Sequence, residues 1–124
     1  MIRGVRGAVT VEENNEAEII EATGMLIREM IQKNNIEAED VASVFISVTE
    51  ELTAAFPAKA MRSLEGWTYV PVMCMREIPV EGSLLKCIRV MMHVNSDSPQ
   101  QNIHHVYLRD AVQLRPDLKT SRTS

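Results

Sequence analysis

The sequence predicts an α+β fold in which a mixed β-sheet carries helices on one face. Two observations predict it. A short apolar strand at the N-terminus leads into one long amphipathic helix, and most of the chain after residue 66 reads as strands, strongest at 84–94. The 124 residues amount to one domain, placed at 1–118, with a flexible C-terminal tail at 119–124.

The first element spans residues 2–11, with Arg3 and Arg6 interleaved among apolar residues. Gly4 and Gly7 weaken this strand and mark a bulge or a close backbone approach. Asn15 then suits a helix N-cap, with Glu18 three residues on as in a capping box. Ile19, Ile20, Thr23, Leu26, Ile27, Met30 and Ile31 recur at helical spacing, and Asn34-Asn35 ends the run. Glu39-Asp40 starts one short turn, and residues 43–48 read as a buried strand. Thr49, followed by Glu50 and Glu51, has the form of another helix start. Pro57 interrupts that helix or begins a new one over 57–64, which Gly66 stops.

Residues 67–73 read as a strand, and Pro71 within it implies an edge or a local break. Pro79 and Gly82 bracket a turn, and Asp97-Ser98-Pro99 opens a turn or short helix. Residues 105–114 read as a last pair of short strand segments, bent near Asp110. Sheet edges and an uncovered face need cover, so a homo-oligomer is expected.

Composition narrows the function. A net charge of −4 argues against a nucleic-acid or membrane-surface partner, since both favour a basic face. No apolar stretch approaches the roughly 20 residues of a membrane span, and Met1 to Arg6 lacks a signal peptide's apolar run. A cytoplasmic location is therefore expected. Only 4% of residues are aromatic while eight are Met, so aliphatic side chains and Met must fill the core. Cys74 and Cys87 form no Cys-x-x-Cys pair and are expected to be free thiols.

Arg89 is the most informative residue. Strand alternation puts Leu85, Cys87, Arg89, Met91 and His93 on one face, and Lys86, Ile88, Val90, Met92 and Val94 on the other. A guanidinium in such a run cannot shed its charge and needs an anion. That anion is either a structural carboxylate or a ligand, unless the strand lies at an edge. Arg6 poses the same question, with exposure near a chain end as the plainer answer.

Cys74-Met75-Arg76-Glu77 follows a strand end, where Glu77 and Cys74 either share a substrate hydroxyl or are ordinary loop residues. Phe56-Pro57-Ala58-Lys59 joins an aromatic, a helix start and a cation, an arrangement able to attract a carboxylate, though Phe56 also suits the core. Tyr107 can donate its hydroxyl to an anion or to a buried partner. No Gly-x-Ser-x-Gly elbow or phosphate loop occurs. His104 and His105 are adjacent and face opposite ways on a strand, so metal binding is not expected.

Seven segments in order carry a resemblance. They are Ile2-Arg3-Gly4-Val5-Arg6-Gly7-Ala8, Phe56-Pro57-Ala58-Lys59-Ala60, Gly66-Trp67, Tyr69-Val70-Pro71-Val72, Cys87-Ile88-Arg89-Val90-Met91-Met92, His105-Val106-Tyr107-Leu108 and Leu114-Arg115-Pro116-Asp117-Leu118. Together they make the chain resemble the small, Bacillus-like monofunctional chorismate mutases of the AroH type, nearly end to end. The resemblance implies a homotrimer with a pseudo-α/β-barrel arrangement and active sites at subunit interfaces. It implies an enzyme, an isomerase converting chorismate to prephenate by a Claisen rearrangement on the route to phenylalanine and tyrosine. No cofactor and no metal is implied.

Residue roles follow from the same resemblance. Arg89 would donate to the ether oxygen of the substrate, and Arg6 and Tyr107 would hold a carboxylate. Glu77 and Cys74 would meet the ring hydroxyl, with the backbone of Met73, Cys74 and Met75 lining the pocket and Arg76 beside it. Phe56 and Ala58 would pack the ring. Lys59, Arg62 and Arg115 would add positive charge at the mouth, and Leu114 an apolar wall. One familiar member has threonine where this chain has Met73, so only the backbone contact carries over there. A trimeric enamine/imine deaminase of the Rid type shares a similar architecture and an interfacial arginine. The set Arg6, Glu77, Arg89 and Tyr107 favours the mutase, while a non-catalytic anion-binding trimer stays open on sequence alone.

Overall fold

A computed structural model describes residues 1–114. Arg115 and the tail at 119–124 lie outside the described residues, as does the end of the domain proposed at residue 118. The chain runs β1 (Ile2–Thr10), α1 (Glu16–Asn34), β2 (Val41–Val48), β3 (Val72–Arg76), β4 (Cys87–Asn95) and β5 (Val106–Leu108). Short 3-10 helices lie at Ala38–Asp40, Pro57–Ser63, Gln100–Asn102 and Arg109–Leu114. The five strands form one sheet in the order β3-β2-β4-β1-β5. β4 is antiparallel to β1 and β2, while β1–β5 and β2–β3 are parallel, so the sheet is mixed as expected. Among the described residues, no helix is long and apolar enough to cross a membrane.

The long helix forms where its signals lie. Asn15 Oδ1 accepts the Glu18 amide at 3.0 Å and caps the first turn. The reciprocal half of the capping box differs. The Asn15 amide is already bonded to the Glu13 carbonyl, so the Glu18 carboxylate reaches further back, to the amides of Glu12 and Glu13. Asn35 ends the helix in the left-handed region at φ 51°. Ile19, Ala22, Thr23, Leu26, Ile27 and Met30 are buried, while Ile20 and Ile31 sit half-buried at the margin. Each large apolar side chain buried this way contributes about 1.5–3 kcal/mol. The one buried hydroxyl on this face, Thr23, donates to the Ile19 carbonyl and is satisfied.

Strand register sorts every side chain to a face. Val5, Val9, Ile46, Ile88, Val90 and Met92 point toward α1 and form the main core with it. Gly7 also faces the helix. A Cβ there would stand 2.5 Å from the Met30 sulfur and 3.0 Å from Leu26 Cδ1, so glycine lets α1 lie close against β1. The opposite face carries Arg6, Phe45, Ser47, Met73, Met75, Arg89, Met91 and His93. At one end of it, Ala8 and Cys87 pack beneath Ala111 of the last 3-10 helix, with Tyr107 and Leu114 alongside. Elsewhere among the described residues this face is open, with Met73 60% and Met75 43% exposed.

Four local expectations are corrected. No helix starts at Thr49. Its hydroxyl and the Glu51 carboxylate bond to the amides of Cys87 and Lys86, so this Thr-x-Glu clamps the entry to β4 instead of capping a helix. The strand expected at 67–73 begins only at Val72, because 67–70 is a turn and Pro71 offers β2 a carbonyl but no N–H. The strand expected from residue 84 begins at Cys87, since Lys86 takes φ 51°. The second segment expected within 105–114 is the 3-10 helix Arg109–Leu114. Arg109 turns to φ 55° there, donating to the Thr10 carbonyl.

Candidate active site

The open face of the sheet holds the first group of candidate residues. Arg89 and Ser47 are direct neighbours across the β2–β4 ladder, and Ser47 also pairs with Met75 across β2–β3. Arg89 lies on an interior strand, which removes the edge-strand explanation of its position. Glu77 comes one residue after β3, where its amide donates to the Val48 carbonyl at 2.8 Å and keeps the chain in line with the sheet. The Glu77 carboxylate then stands 3.4 Å from Arg89 Nη1 and accepts the Ser47 hydroxyl at 2.7 Å. Arg6, Phe45, Ser47, Met75, Glu77, Arg89 and Met91 line a shallow cavity of about 300 Å³.

The charges here are set by their neighbours. Burial penalises the charged form of Glu77, but the Ser47 hydroxyl, the Arg89 guanidinium and the Ile78 amide outweigh it and hold the carboxyl below its ordinary value. The pair thus faces solvent as a zwitterion. Arg89 is 41% exposed at its side chain and keeps guanidinium donors beyond its contact with Glu77. Arg6 gives its amide to His105 Nδ1 at 3.0 Å, while its guanidinium has no ion pair or hydrogen bond among the described residues. The Tyr107 hydroxyl is buried with no partner among the described residues, a state that costs about 1–3 kcal/mol unless something fills it. Burial pushes the Cys87 thiol up to about 11, only partly opposed by Arg89, so it stays protonated and unreactive at neutral pH.

The second group lies on the helix side. Phe56, Lys59, Cys74, Met75 and Arg76 line a cavity of about 600 Å³ with Glu16, Val48 and Leu52. Phe56 is 71% exposed, which rules out the core role that its type allows. Lys59 pairs with Glu16 at 3.1 Å, and Arg76 pairs with Glu50. Ala58 packs half-buried against the main core, and Arg62 projects from the same 3-10 helix into solvent. That helix has seven residues, and the Lys59 amide is already spent on the Phe56 carbonyl, so its N-terminus is no ready carboxylate site.

The structure therefore divides the expected residues between two faces of one sheet. Cys74 packs into the main core, while Glu77 faces the opposite side, so thiol and carboxylate do not converge within the chain. Met73 is exposed beside Phe45 on the open face, and Met75 borders both cavities. Leu114 lies half-buried near Tyr107, and Arg115 is outside the described residues. Ser47 was not among the expected residues. Its signal is a hydroxyl two residues after Phe45 on the strand face that also carries Ser43, opposite Arg89 once the register is known.

Known proteins match this chain over its length. The family model for chorismate mutase type I matches residues 2–118. The chorismate mutase AroH of Bacillus subtilis (strain 168) is 52% identical over 124 residues, covering 100% of this chain and 98% of that protein. The Thermus thermophilus chorismate mutase AroH is 49% identical over 123 residues, covering 98% of this chain and 100% of its own. A solved chorismate mutase from Clostridium thermocellum superposes with a TM-score of 0.85 at 51% identity, over 88% of this chain and 96% of that one. With identity near one half from end to end, and a fold matched at that level, the chain belongs to the chorismate mutase type I family.

Proposed function

We propose that this protein converts chorismate to prephenate at sites formed where two copies of the chain meet, with residues 1–118 as the catalytic domain. The observation that carries this reading is the open-face cavity, where Arg6 and Arg89 present guanidinium groups beside Glu77. The reaction is unimolecular. The ether C–O bond breaks as a new C–C bond forms between the pyruvyl methylene and the ring, in one cyclic shift of electron pairs. No atom is gained or lost, so no nucleophile, base or redox partner is called for.

What the protein must supply is geometry and charge. Arg89 donates to the ether oxygen, where negative charge grows as the C–O bond stretches. A preorganised donor of this kind is worth about 3–4 kcal/mol in a water-poor site. Arg6 and the Tyr107 hydroxyl, which has no partner among the described residues, hold a substrate carboxylate, and Glu77 accepts the ring hydroxyl. Fixing the pyruvyl arm over the ring in a near-attack conformer supplies the remaining acceleration.

The second copy enters for a geometric reason. Phe56, Ala58, Lys59, Arg62, Cys74 and Arg76 belong to the other side of the same sheet, so one chain cannot bring them over its own Arg89. A neighbour laid on the exposed Phe45, Met73 and Met75 would bring its own Phe56 and Lys59 to the cavity and bury apolar surface at once. A closed ring of three copies does this with one repeated heterologous contact. The same reading assigns the enzyme to the cytoplasm, on the route to phenylalanine and tyrosine.

The test is direct. Purified protein given chorismate should consume it and yield prephenate in equal amount. No turnover at saturating chorismate would overturn the proposal.

A further inference from the structure

Ser47 stands at the centre of the open face without a role in the chemistry described so far. It belongs to β2, the strand between the one that carries Arg89 and the one that leads into Glu77. Its hydroxyl donates to Glu77 Oε2 at 2.7 Å, and the same oxygen faces Arg89 Nη1 at 3.4 Å. Backbone hydrogen bonds bring Glu77 to the edge of the cavity but leave three side-chain torsions open. The Ser47 bond fixes which oxygen faces the guanidinium. At 3.4 Å the ion pair is looser than a good charge-assisted hydrogen bond, so the shorter serine contact is the one that sets the carboxylate's orientation.

We propose that Ser47 is a positioning residue for the reaction, holding the Glu77 carboxylate where it accepts the substrate ring hydroxyl while leaving Arg89 open to the ether oxygen. This rests on the chorismate mutase reading of the site. Without the serine, Glu77 is free to turn and pair more closely with Arg89. That would tie up the donors the ether oxygen uses and withdraw the acceptor from the ring hydroxyl. The hydroxyl also favours the ionised carboxylate. The other charged and titratable groups around Glu77 are Arg89 on β4, Arg6 on β1 and the Cys87 thiol at the start of β4. On its far side, Glu50, Glu51 and Glu81 share a hollow with it. Glu50 is paired with Arg76, and Glu51 is bonded to Thr49 and the Lys86 amide, which leaves Ser47, Arg89 and the Ile78 amide as the direct partners of the Glu77 side chain among the described residues.

The experiment compares the intact wild-type protein with Ser47→Ala, Ser47→Thr and Ser47→Cys. The Glu77 carboxyl titration is followed by carbon-13 NMR, and kcat/KM for chorismate is measured against pH. Ser47→Ala should raise the Glu77 midpoint, carry the acid limb of kcat/KM upward with it, and lower kcat/KM at neutral pH about ten-fold. Ser47→Thr keeps a hydroxyl and should restore both readouts. Ser47→Cys, a weaker donor of similar size, should fall between and serves if the alanine variant does not fold. A purely structural serine would change the melting temperature but leave the acid limb in place. The inference is overturned if the Glu77 midpoint stays put in the alanine or cysteine variant. It is equally overturned if the midpoint moves while the acid limb does not, or if threonine fails to rescue. An inactive wild type would remove the functional reading and this role together, and the NMR titration would still show separately whether Ser47 governs Glu77.

Discussion

Arg89 lies on β4 and Glu77 one residue past the end of β3, strands that are not neighbours, yet their side chains come within 3.4 Å of each other across Ser47. The sequence leaves two answers to the arginine's charge, a structural carboxylate and a ligand. The structure supplies the carboxylate but not a closed pair, because the guanidinium remains 41% exposed and faces the same cavity as Arg6. Replacing Arg89 with citrulline keeps the shape and removes the charge. We expect kcat to fall about 10²–10³-fold with a much smaller change in KM, read by steady-state kinetics. Equal losses in both would assign Arg89 to ground-state binding instead.

The separation of Arg89 from Lys59 by the thickness of the sheet yields a mixing experiment. Arg89→Ala and Lys59→Ala variants should each be weak when pure. Unfolded together and refolded as mixed oligomers, they should regain activity, because a site that takes Arg89 from one chain and Lys59 from another is whole. Random mixing in equal amounts makes about a quarter of the sites intact. No recovery, with mixed oligomers demonstrated by mass spectrometry, would mean that one chain builds the whole site.

Features that depend on local period are legible in the sequence. The faces of β4 follow from alternation alone, which sends Ile88, Val90 and Met92 to the core and Arg89 to the opposite side. The Asn15 cap and Asn35 stop of α1 are equally local. Legibility fails where side chains answer to distant backbone. Thr49-Glu50-Glu51 has a helix-start pattern, but its hydroxyl and carboxylate serve residues 86 and 87. A strand at 67–73 leaves 74–77 as a loop, and only with the true start at Val72 does the parity of Cys74 and Glu77 become plain. The contact between Glu77 and Arg89 needs the register of three strands at once, which no window of sequence contains.

Gly7 gives a prediction on stability that is independent of the site. An added methyl would meet Met30 and Leu26, both fully buried, so one of them must shift within a packed core. Gly7→Ala should destabilise the protein by about 1–3 kcal/mol in urea unfolding. Met30→Ala should itself be costly, yet the double variant should lose clearly less than the sum, because the smaller residue 30 makes room for the methyl. Strict additivity would show that Met30 is not what excludes a side chain at position 7.

Glu51 gives a pH dependence with a definite sign. Burial disfavours its charge, but the Thr49 hydroxyl and the Lys86 amide more than offset this and lower its pKa in the fold. A carboxyl lowered on folding contributes stability above its unfolded value of about 4.3 and loses it as pH falls through the lower folded value. Glu51→Gln should therefore cost stability at pH 7, about 1–2 kcal/mol given its partial exposure to water. The difference from wild type should shrink toward zero as the medium is acidified past that value. Urea midpoints across the acid range would show it. A deficit that stayed constant with pH would mean that the Glu51 clamp on β4 works by shape alone and that its charge adds nothing.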